Sequence, residues 1–560
     1  MEVGKMQTKL ATWSQDRDRK FGDIFNIVYS GAFLHHAWSD VKSNRGARTP
    51  GVDGVTAEDY AEDLEENLKG LRQKLKSGAY RPKPVRRTYI PKSETEVRPL
   101  GIPTVEDRIV QESLRLTLEP IYETDFSESS FGFRPNRSCH DAIQMVSYQM
   151  APSVSSYKHW VLDLDVKGYF DNVDHTELMY VLQDRIADQH VQNLIWKTLN
   201  AGVKENGFVQ ATGKGTPQGG IVSPLLANVY LNELDQWMKK WTDGNRGGDE
   251  SWTYVRYADD FLIMTNGRKY RAQDMMEEVE SFLGEELRLE LSQKKSSVTH
   301  AEDGLSFLGY DLQADSTSGG CKKYVPQEAK DYIRDRIKEA TGGKTDVSTR
   351  LKIQSINAVV RGWANYYKYC TDAATTFNGA ENLLWHRMMD WLAEKYECSK
   401  KRLVQRKLDG TSPITINGMS VTQITGLSTR RTENPKRHTH PYLNEDNRDV
   451  PESQWGKSRR TGHPGQNPYL ANKERRAGST DLAFEARLRD RNVCQARGCS
   501  KGGWGTRPLP VHHIRRRNSE DDDRVENLVT LCEDCHWKLH HSGETVTAHH
   551  GGRKQPIQLS

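Results

Sequence analysis

Along the chain, the spacing of apolar and polar positions changes period with position. From about residue 20 to 150, helical patterns alternate with short loops such as "RTPGVDG" and "YRPKPVRRTYIPK". From about 158 to 310, strand-like runs take turns with helical ones, and "HWVLDLDVKGYF" and "WTYVRYADDFLIM" are the clearest strands. Residues 326–408 are expected to be helical, as in "AKDYIRDRIKEA" and "ENLLWHRMMDWLAEKYE", with a basic end in "KKRLVQRK" (Lys400 to Lys407). From about 411 to 480, Pro, Asn, Gly, Arg and Lys dominate, in "RTENPKRHTHP" and "KSRRTGHPGQNP". A loop-rich basic connector is expected there. A Cys/His-rich module closes the chain, and no internal repeat is seen.

At 560 residues the chain is too long for one core, and about two to four domains are expected. Charged residues make up 28% and the mean hydropathy is −0.79, so a polar, soluble protein is expected. The net charge of +4 does not by itself establish a nucleic-acid partner, so local basic clusters matter more. No apolar run reaches the ~18 residues of a membrane span, and the first residues lack an apolar signal core. Neither a membrane partner nor secretion is expected, and the cytoplasm (bacterial cytosol or nucleoid) is the expected location, with an organelle as the alternative. Of eight cysteines, four are scattered (Cys139, Cys321, Cys370, Cys398) and four cluster (Cys494, Cys499, Cys532, Cys535). That division argues against a disulfide framework and for one metal site in a reducing cytosol.

In "VRYADDFLIM" (Val255 to Met264), Asp259 and Asp260 are adjacent like charges in an apolar, β-prone stretch. Alone they read as a tight hairpin turn, which Asp suits. A second acidic strand changes the picture. In "WVLDLDVKGYFDNVDH", Asp163 and Asp165 alternate at a β period and share a face. Two such strands side by side would form an oxygen cage for Mg²⁺, and two ions can clamp the attacking and leaving oxygens of a phosphoryl transfer. The metal charge would offset the repulsion between neighbouring carboxylates.

"YADD" with "DLDVKGYFDNVDH" resembles motifs C and A of reverse transcriptases. "GKGTPQGGIVSPLLANVYLNELD" (Gly213 to Asp235) resembles motif B, "LRLELSQKKSSVTH" motif D and "FLGY" (Phe307 to Tyr310) motif E. Upstream, "RTPGVDGVT", "YIPKSETEVRPLGIPTVEDRIVQ" and "SESSFGFRPNRSCHDAI" are similar to finger motifs of group II intron-encoded proteins. The likeness runs over essentially the whole chain.

The resemblance implies that Asp165, Asp259 and Asp260 are the catalytic Mg²⁺ ligands. Asp163 is left either bracing its strand or touching the metal. Phe170 aligns with the steric gate, whose ring would collide with a ribose 2′-hydroxyl and so favour dNTPs; a core aromatic is the alternative. Lys92 and Arg98 match the residues that hold the triphosphate, although alone they read as surface charges. Gln218 matches the motif B residue near the nucleotide. Lys295 matches the motif D lysine, a proton donor to pyrophosphate, with Lys294 next to it.

In "VVRGWANYYKYC" (Val359 to Cys370), Trp363, Tyr366 and Tyr367 read either as core aromatics or, by the resemblance, as part of thumb domain X. In the second case Arg361 and Lys368 would meet RNA phosphates while the aromatics stack on bases.

Near the end, Cys494, Cys499, Cys532 and Cys535 form two pairs suited to structural Zn²⁺. With His512, His513, Asn527, His536 and His540 they resemble the HNH nuclease motif. That resemblance implies His513 as general base, Asn527 orienting it, and His512, His536 and His540 holding the nuclease metal, expected to be Mg²⁺ as in the polymerase. Arg515, Arg516 and Arg517 would meet DNA phosphates. A zinc module that only binds DNA is the alternative.

The expectation is an α+β multidomain right hand. N-terminal extension and fingers would span 1–157, the palm 158–315, a helical thumb with domain X 316–410, a basic DNA-binding connector 411–480, and a zinc-containing ββα-metal HNH nuclease 481–560. The expected partners are group II intron RNA, target DNA and dNTPs; a homodimer is left open. The alternatives are a splicing-only maturase with an inactive polymerase, and a retron or defence-type reverse transcriptase.

Overall fold

The computed structural model describes residues 2–44, 46–91, 97–205, 208–210, 213–216, 219–243, 250–343, 345–416, 418–428 and 438–443. It also describes the backbone of four short strands beyond residue 510. The fold is mixed α and β throughout.

The N-terminal part is built on the helix Val105–Tyr122, which is buried along nearly its whole length. Thr104 caps it by accepting from the Asp107 amide, and the helices Val3–Ser14 and Gly31–Ser43 pack on it. Next to this bundle, Val85–Pro91 and Val97–Ile102 form an antiparallel hairpin in which Ile90 faces Arg98. Val203–Glu205 and Phe208–Gln210 extend that sheet.

A second four-stranded sheet has the order Trp252–Tyr257, Asp260–Thr265, Trp160–Asp165, Ser297–His300, antiparallel at every step. Its alternating residues serve two cores. Leu162, Leu164, Phe261 and Ile263 face a core shared with the helices Ser223–Thr242 and Lys269–Leu287. Val161, Leu262 and Met264 face a second core, shared with the helix Cys139–Gln149 and the C-terminal helices. Asp163 and Asp165 continue the Val161 side toward the strand's end.

The expected strand "WTYVRYADDFLIM" is two strands. The chain reverses at Ala258 and Asp259, with Tyr257 paired to Asp260. Ala258 takes a left-handed φ of +59°, the geometry of the first loop position of a two-residue hairpin. The hairpin reading of the two aspartates therefore holds.

Helices Gln327–Thr341, Thr349–Tyr367 and Ala373–Lys395 form the C-terminal helical unit. Trp363, Tyr366 and Tyr367 pack against the second core, in line with the core-aromatic reading of that stretch. Trp363 and Tyr367 are buried, and the Trp363 indole donates to Ala329 O at 3.1 Å. The Tyr366 hydroxyl donates to Leu308 O at 2.6 Å, in the turn of "FLGY". That turn has positive φ at both Leu308 and Gly309, so it is a tight hairpin gripped by the helical unit. Arg361 remains exposed, with its Nε on Thr422 Oγ1 at 2.7 Å.

The chain just past residue 410 packs on the helical unit. Gly410–Thr411, Ile414–Ile416 and Met419–Ser420 form a three-stranded sheet, and Ile414, Ile416, Val421 and Ile424 enter the second core. Trp385 donates to Thr411 O at 2.9 Å, and Asn357 bonds both Ser420 and Thr422. Four apolar residues spaced through this polar stretch are enough to dock it, so the start of the expected connector belongs to the helical unit. Among the described residues no helix is long and apolar enough to cross a membrane.

Candidate active site

The "YADD" turn rests on a buried polar network. Arg256, fully buried, donates from Nε and Nη2 to the two oxygens of buried Asp235, at 2.7 and 2.6 Å. Its Nη1 reaches Asn228 Oδ1 and the Ala258 carbonyl, both at 2.9 Å. Tyr254 donates to Asp235 at 2.9 Å. Asn228 in turn donates to Gly132 O at 2.8 Å. Gly132 lies so close to the turn that a Cβ there would sit 2.4 Å from the Ala258 nitrogen, so only glycine fits. The turn is thereby fixed from one side by the helix Ser223–Thr242 and from the other by the Gly132 loop.

Strand register sets Asp165 directly opposite Asp260, with Asp259 in the adjoining turn. Lys295 contacts both oxygens of Asp165, at 3.0 and 3.1 Å, and this hydrogen bond holds its ammonium pKa up. Burial raises the Asp259 carboxyl. Burial, then Asp259 and Asp165, push Asp260 up to about 6. Burial, then Asp260 and Asp165, push Asp163 up to about 6. The Asp260 residue is exposed, so solvent weakens the push there, and it counts most at half-buried Asp163. Among the described residues no three carboxylate, imidazole or thiolate groups converge as a metal-binding cluster; the Asp165 carboxylate is engaged by Lys295 instead.

A pH dependence follows. A carboxyl raised from its usual value to about 6 in the fold stabilises the fold below the usual value and loses that contribution as pH rises through 6. Asp163→Asn is therefore expected to melt higher than the parent at pH 8, by about 2 °C once solvent screening is discounted. The gap should close toward pH 4. A gap that is constant from pH 4 to 8 would refute the assignment.

Phe170 lies in the short helix Tyr169–Asn172, half-buried against the first core. Its carbonyl accepts from the Thr216 amide at 2.7 Å, and His175 bonds Gly215 O at 2.7 Å. Gly215, at φ +87°, approaches the Asp171 backbone so closely that a Cβ would lie 2.9 Å from its carbonyl oxygen. The loop Gly213–Thr216 is thus clamped on the Phe170–Asp171 backbone. Arg98 is exposed on its hairpin strand, and its charge partly offsets the burial-driven rise of the Asp171, Asp259 and Asp260 carboxyls. Lys92 and Gln218 lie outside the described residues.

Near the C-terminus, Val511–His513 pairs antiparallel with Leu528–Thr530, so His513 lies opposite Leu528, the residue after Asn527. Asn527, His536, His540, Arg515 to Arg517 and the four clustered cysteines lie outside the described residues, as do the side chains of His512 and His513. The sequence analysis missed Arg256, Asp235, Asn228 and Gly132. The one local signal was an arginine inside an apolar strand.

The chain matches the family "Reverse transcriptase (RNA-dependent DNA polymerase)" over residues 90–312. It matches "Group II intron, maturase-specific domain" over 331–408 and "HNH endonuclease" over 494–542. It is 39% identical over 337 residues to "Protein YkfC" of Escherichia coli, covering 56% of this chain and 88% of that protein. It is 31% identical over 476 residues to "Group II intron-encoded protein LtrA" of Lactococcus lactis, covering 70% of this chain and 78% of that protein. Among solved structures, a telomerase from Candida albicans with a fragment of telomeric RNA aligns with 63% of this chain and 68% of its own. Its identity is 12% and its TM-score 0.33, too loose to decide anything about function.

Proposed function

The chain belongs to the group II intron-encoded proteins, and from that premise we propose how its residues divide the work. It is an RNA-directed DNA polymerase, a maturase and an HNH endonuclease in one polypeptide. In our reading, fingers and palm end near 315, and the helical unit after them, extended to about 428, is the thumb with domain X. That unit binds the protein's own intron RNA. The nuclease opens one strand of a DNA target, and the polymerase extends the exposed 3′ end, copying the intron into the site. A splicing-only protein or a retron-type enzyme has less in its favour, because polymerase, maturase and nuclease matches occur together.

The observation that carries the reading is the register of Asp165 against Asp260, with Asp259 in the adjoining turn. Carboxylate oxygens are the donors a hard divalent ion such as Mg²⁺ takes, and these three residues lie at one end of the sheet, although they do not converge as a ready cluster while Lys295 engages Asp165. Bound there, the ion would supply charge stabilisation to the transferring phosphoryl group. Asp165, Asp259 and Asp260 would hold it. Arg98 and Lys92 bind the triphosphate of the dNTP, Gln218 lies beside the nucleotide, and Phe170 excludes the 2′-hydroxyl. Lys295, already an ammonium on Asp165, is placed to give a proton to departing pyrophosphate. In the nuclease, Cys494, Cys499, Cys532 and Cys535 would hold structural Zn²⁺. His512, His536 and His540 would hold the catalytic metal, and His513, oriented by Asn527, would take a proton from water.

The test is primer extension by the full chain on an RNA template, with dNTPs or rNTPs and with Asp259→Asn as control. Synthesis from dNTPs alone, lost in the variant while intron splicing persists, is expected. Splicing without any synthesis from the parent protein would overturn the polymerase assignment.

A further inference from the structure

Phe133 combines a left-handed backbone, φ +56°, with a ring that is 55% exposed. Both are unfavourable for a phenylalanine, since residues other than glycine rarely adopt that backbone and a solvated ring gains nothing from burial. The loop around it is firmly anchored. The Phe131 amide donates to Arg256 O at 2.8 Å, and Gly132 is packed against the "YADD" turn. On the other side, Arg134 is buried, paired with Glu123 at 2.7 Å and donating to Ser130 O at 2.8 Å. Between these anchors lies Phe133, one residue after Gly132, with its ring largely exposed. Among the described residues its one ring contact is with Phe170, edge to face, with centroids 6.4 Å apart and planes at 88°.

We propose that Phe133 is a positioning residue for sugar selection: its ring buttresses Phe170 and holds the gate ring against a 2′-hydroxyl. This rests on the reading of Phe170 as the gate. The physical basis is that a half-buried ring supported only from its own core side can tilt away from an entering ribose. A second ring placed edge-on closes that route at a preferred aromatic geometry. The strained, solvated placement of Phe133 persists because the anchored loop over-determines it.

The experiment is competition between dNTPs and rNTPs in primer extension by the full-length protein on an RNA template. Phe133→Ala, Phe133→Gly and Phe133→Tyr run beside Phe170→Ala. Loss of one edge-to-face contact should lower dNTP-over-rNTP selectivity about threefold to tenfold in Phe133→Ala and Phe133→Gly. The rise should lie in rNTP efficiency, with dNTP turnover within about twofold of the parent on the same contact scale. Phe133→Tyr, which keeps the ring, should restore selectivity. Because Phe133→Gly also relieves the backbone strain, its melting temperature should not fall.

If Phe170→Ala relaxes selection while Phe133→Gly leaves it unchanged, the buttress is refuted and the gate stands. If Phe170→Ala leaves selection unchanged, the gate reading fails and takes the buttress with it. A parallel fall in dNTP and rNTP efficiency with a lower melting temperature would make Phe133 a structural residue and overturn the proposal.

Discussion

Asp165→Asn is expected to lower RNA-templated DNA synthesis by about a thousandfold or more while leaving the protein folded. The side chain keeps its size and loses its charge. A metal-bound phosphoryl transfer draws several kcal/mol of its barrier reduction from charge held at such a carboxylate, and that is about a thousandfold in rate. The fold should tolerate the change because Asp165 sits among excess negative charge. Asp163 and Asp260, both pushed up to about 6 in part by Asp165, would be relieved by its neutralisation. The one clear loss is the Lys295 ion pair, which is largely exposed on the lysine side and so contributes little. Splicing of intron RNA, a task of the helical unit in our reading, should persist. Primer extension, a melting curve and a splicing assay on the same preparation check all three points. DNA synthesis within about tenfold of the parent would mean that Asp165 holds no essential ion.

The second large effect is on stability. Arg256→Met or Asp235→Asn alone should destabilise the polymerase part by about 3–5 kcal/mol, because each leaves a charge or a set of donors buried without its partner. Both side chains are 0% exposed, and Arg256 makes four hydrogen bonds, two of them to Asp235. The double change Arg256→Met with Asp235→Leu should be less damaging than the sum of the two, since apolar groups of similar volume can replace a buried pair. Activity should behave differently. The double variant still lacks the bond from Arg256 to the Ala258 carbonyl, so the "YADD" turn loses a support and DNA synthesis should stay low even where the fold recovers. Urea unfolding beside primer extension at low temperature separates the two effects. Single variants that cost under about 1 kcal/mol would show that the network does not hold the turn.

Part of the placement of the acidic residues was legible from spacing alone. Asp163 and Asp165, two apart on a strand, share a side because strand side chains alternate, and no tertiary fact is needed for that. Asp259 and Asp260 were recognisable as a like-charged pair within apolar surroundings. Helical or strand-like character likewise follows from local periodicity over much of the chain, but the expected loop "YRPKPVRRTYIPK" contains the strand Val85–Pro91, which its pairing with Val97–Ile102 decides.

Tertiary structure decided what those residues meet. "WTYVRYADDFLIM" keeps a β-like composition across its turn; the adjacent aspartates suit a hairpin, but what fixes the reversal at Ala258 lies elsewhere in the chain. The reversal is held by Arg256 and by Gly132, which lies in a separate loop. Tyr366 reads equally as a base-stacking or a packing residue until the "FLGY" turn arrives to accept its hydroxyl. Residues 410–428 look like a polar linker until a few isoleucines and a valine find the second core. Local pattern sets the side of the chain on which a group lies, because backbone geometry repeats every few residues. Whether that side meets solvent, a buried countercharge or another ring depends on segments distant in sequence, and their approach is governed by the sum of burial and hydrogen bonding over the whole fold.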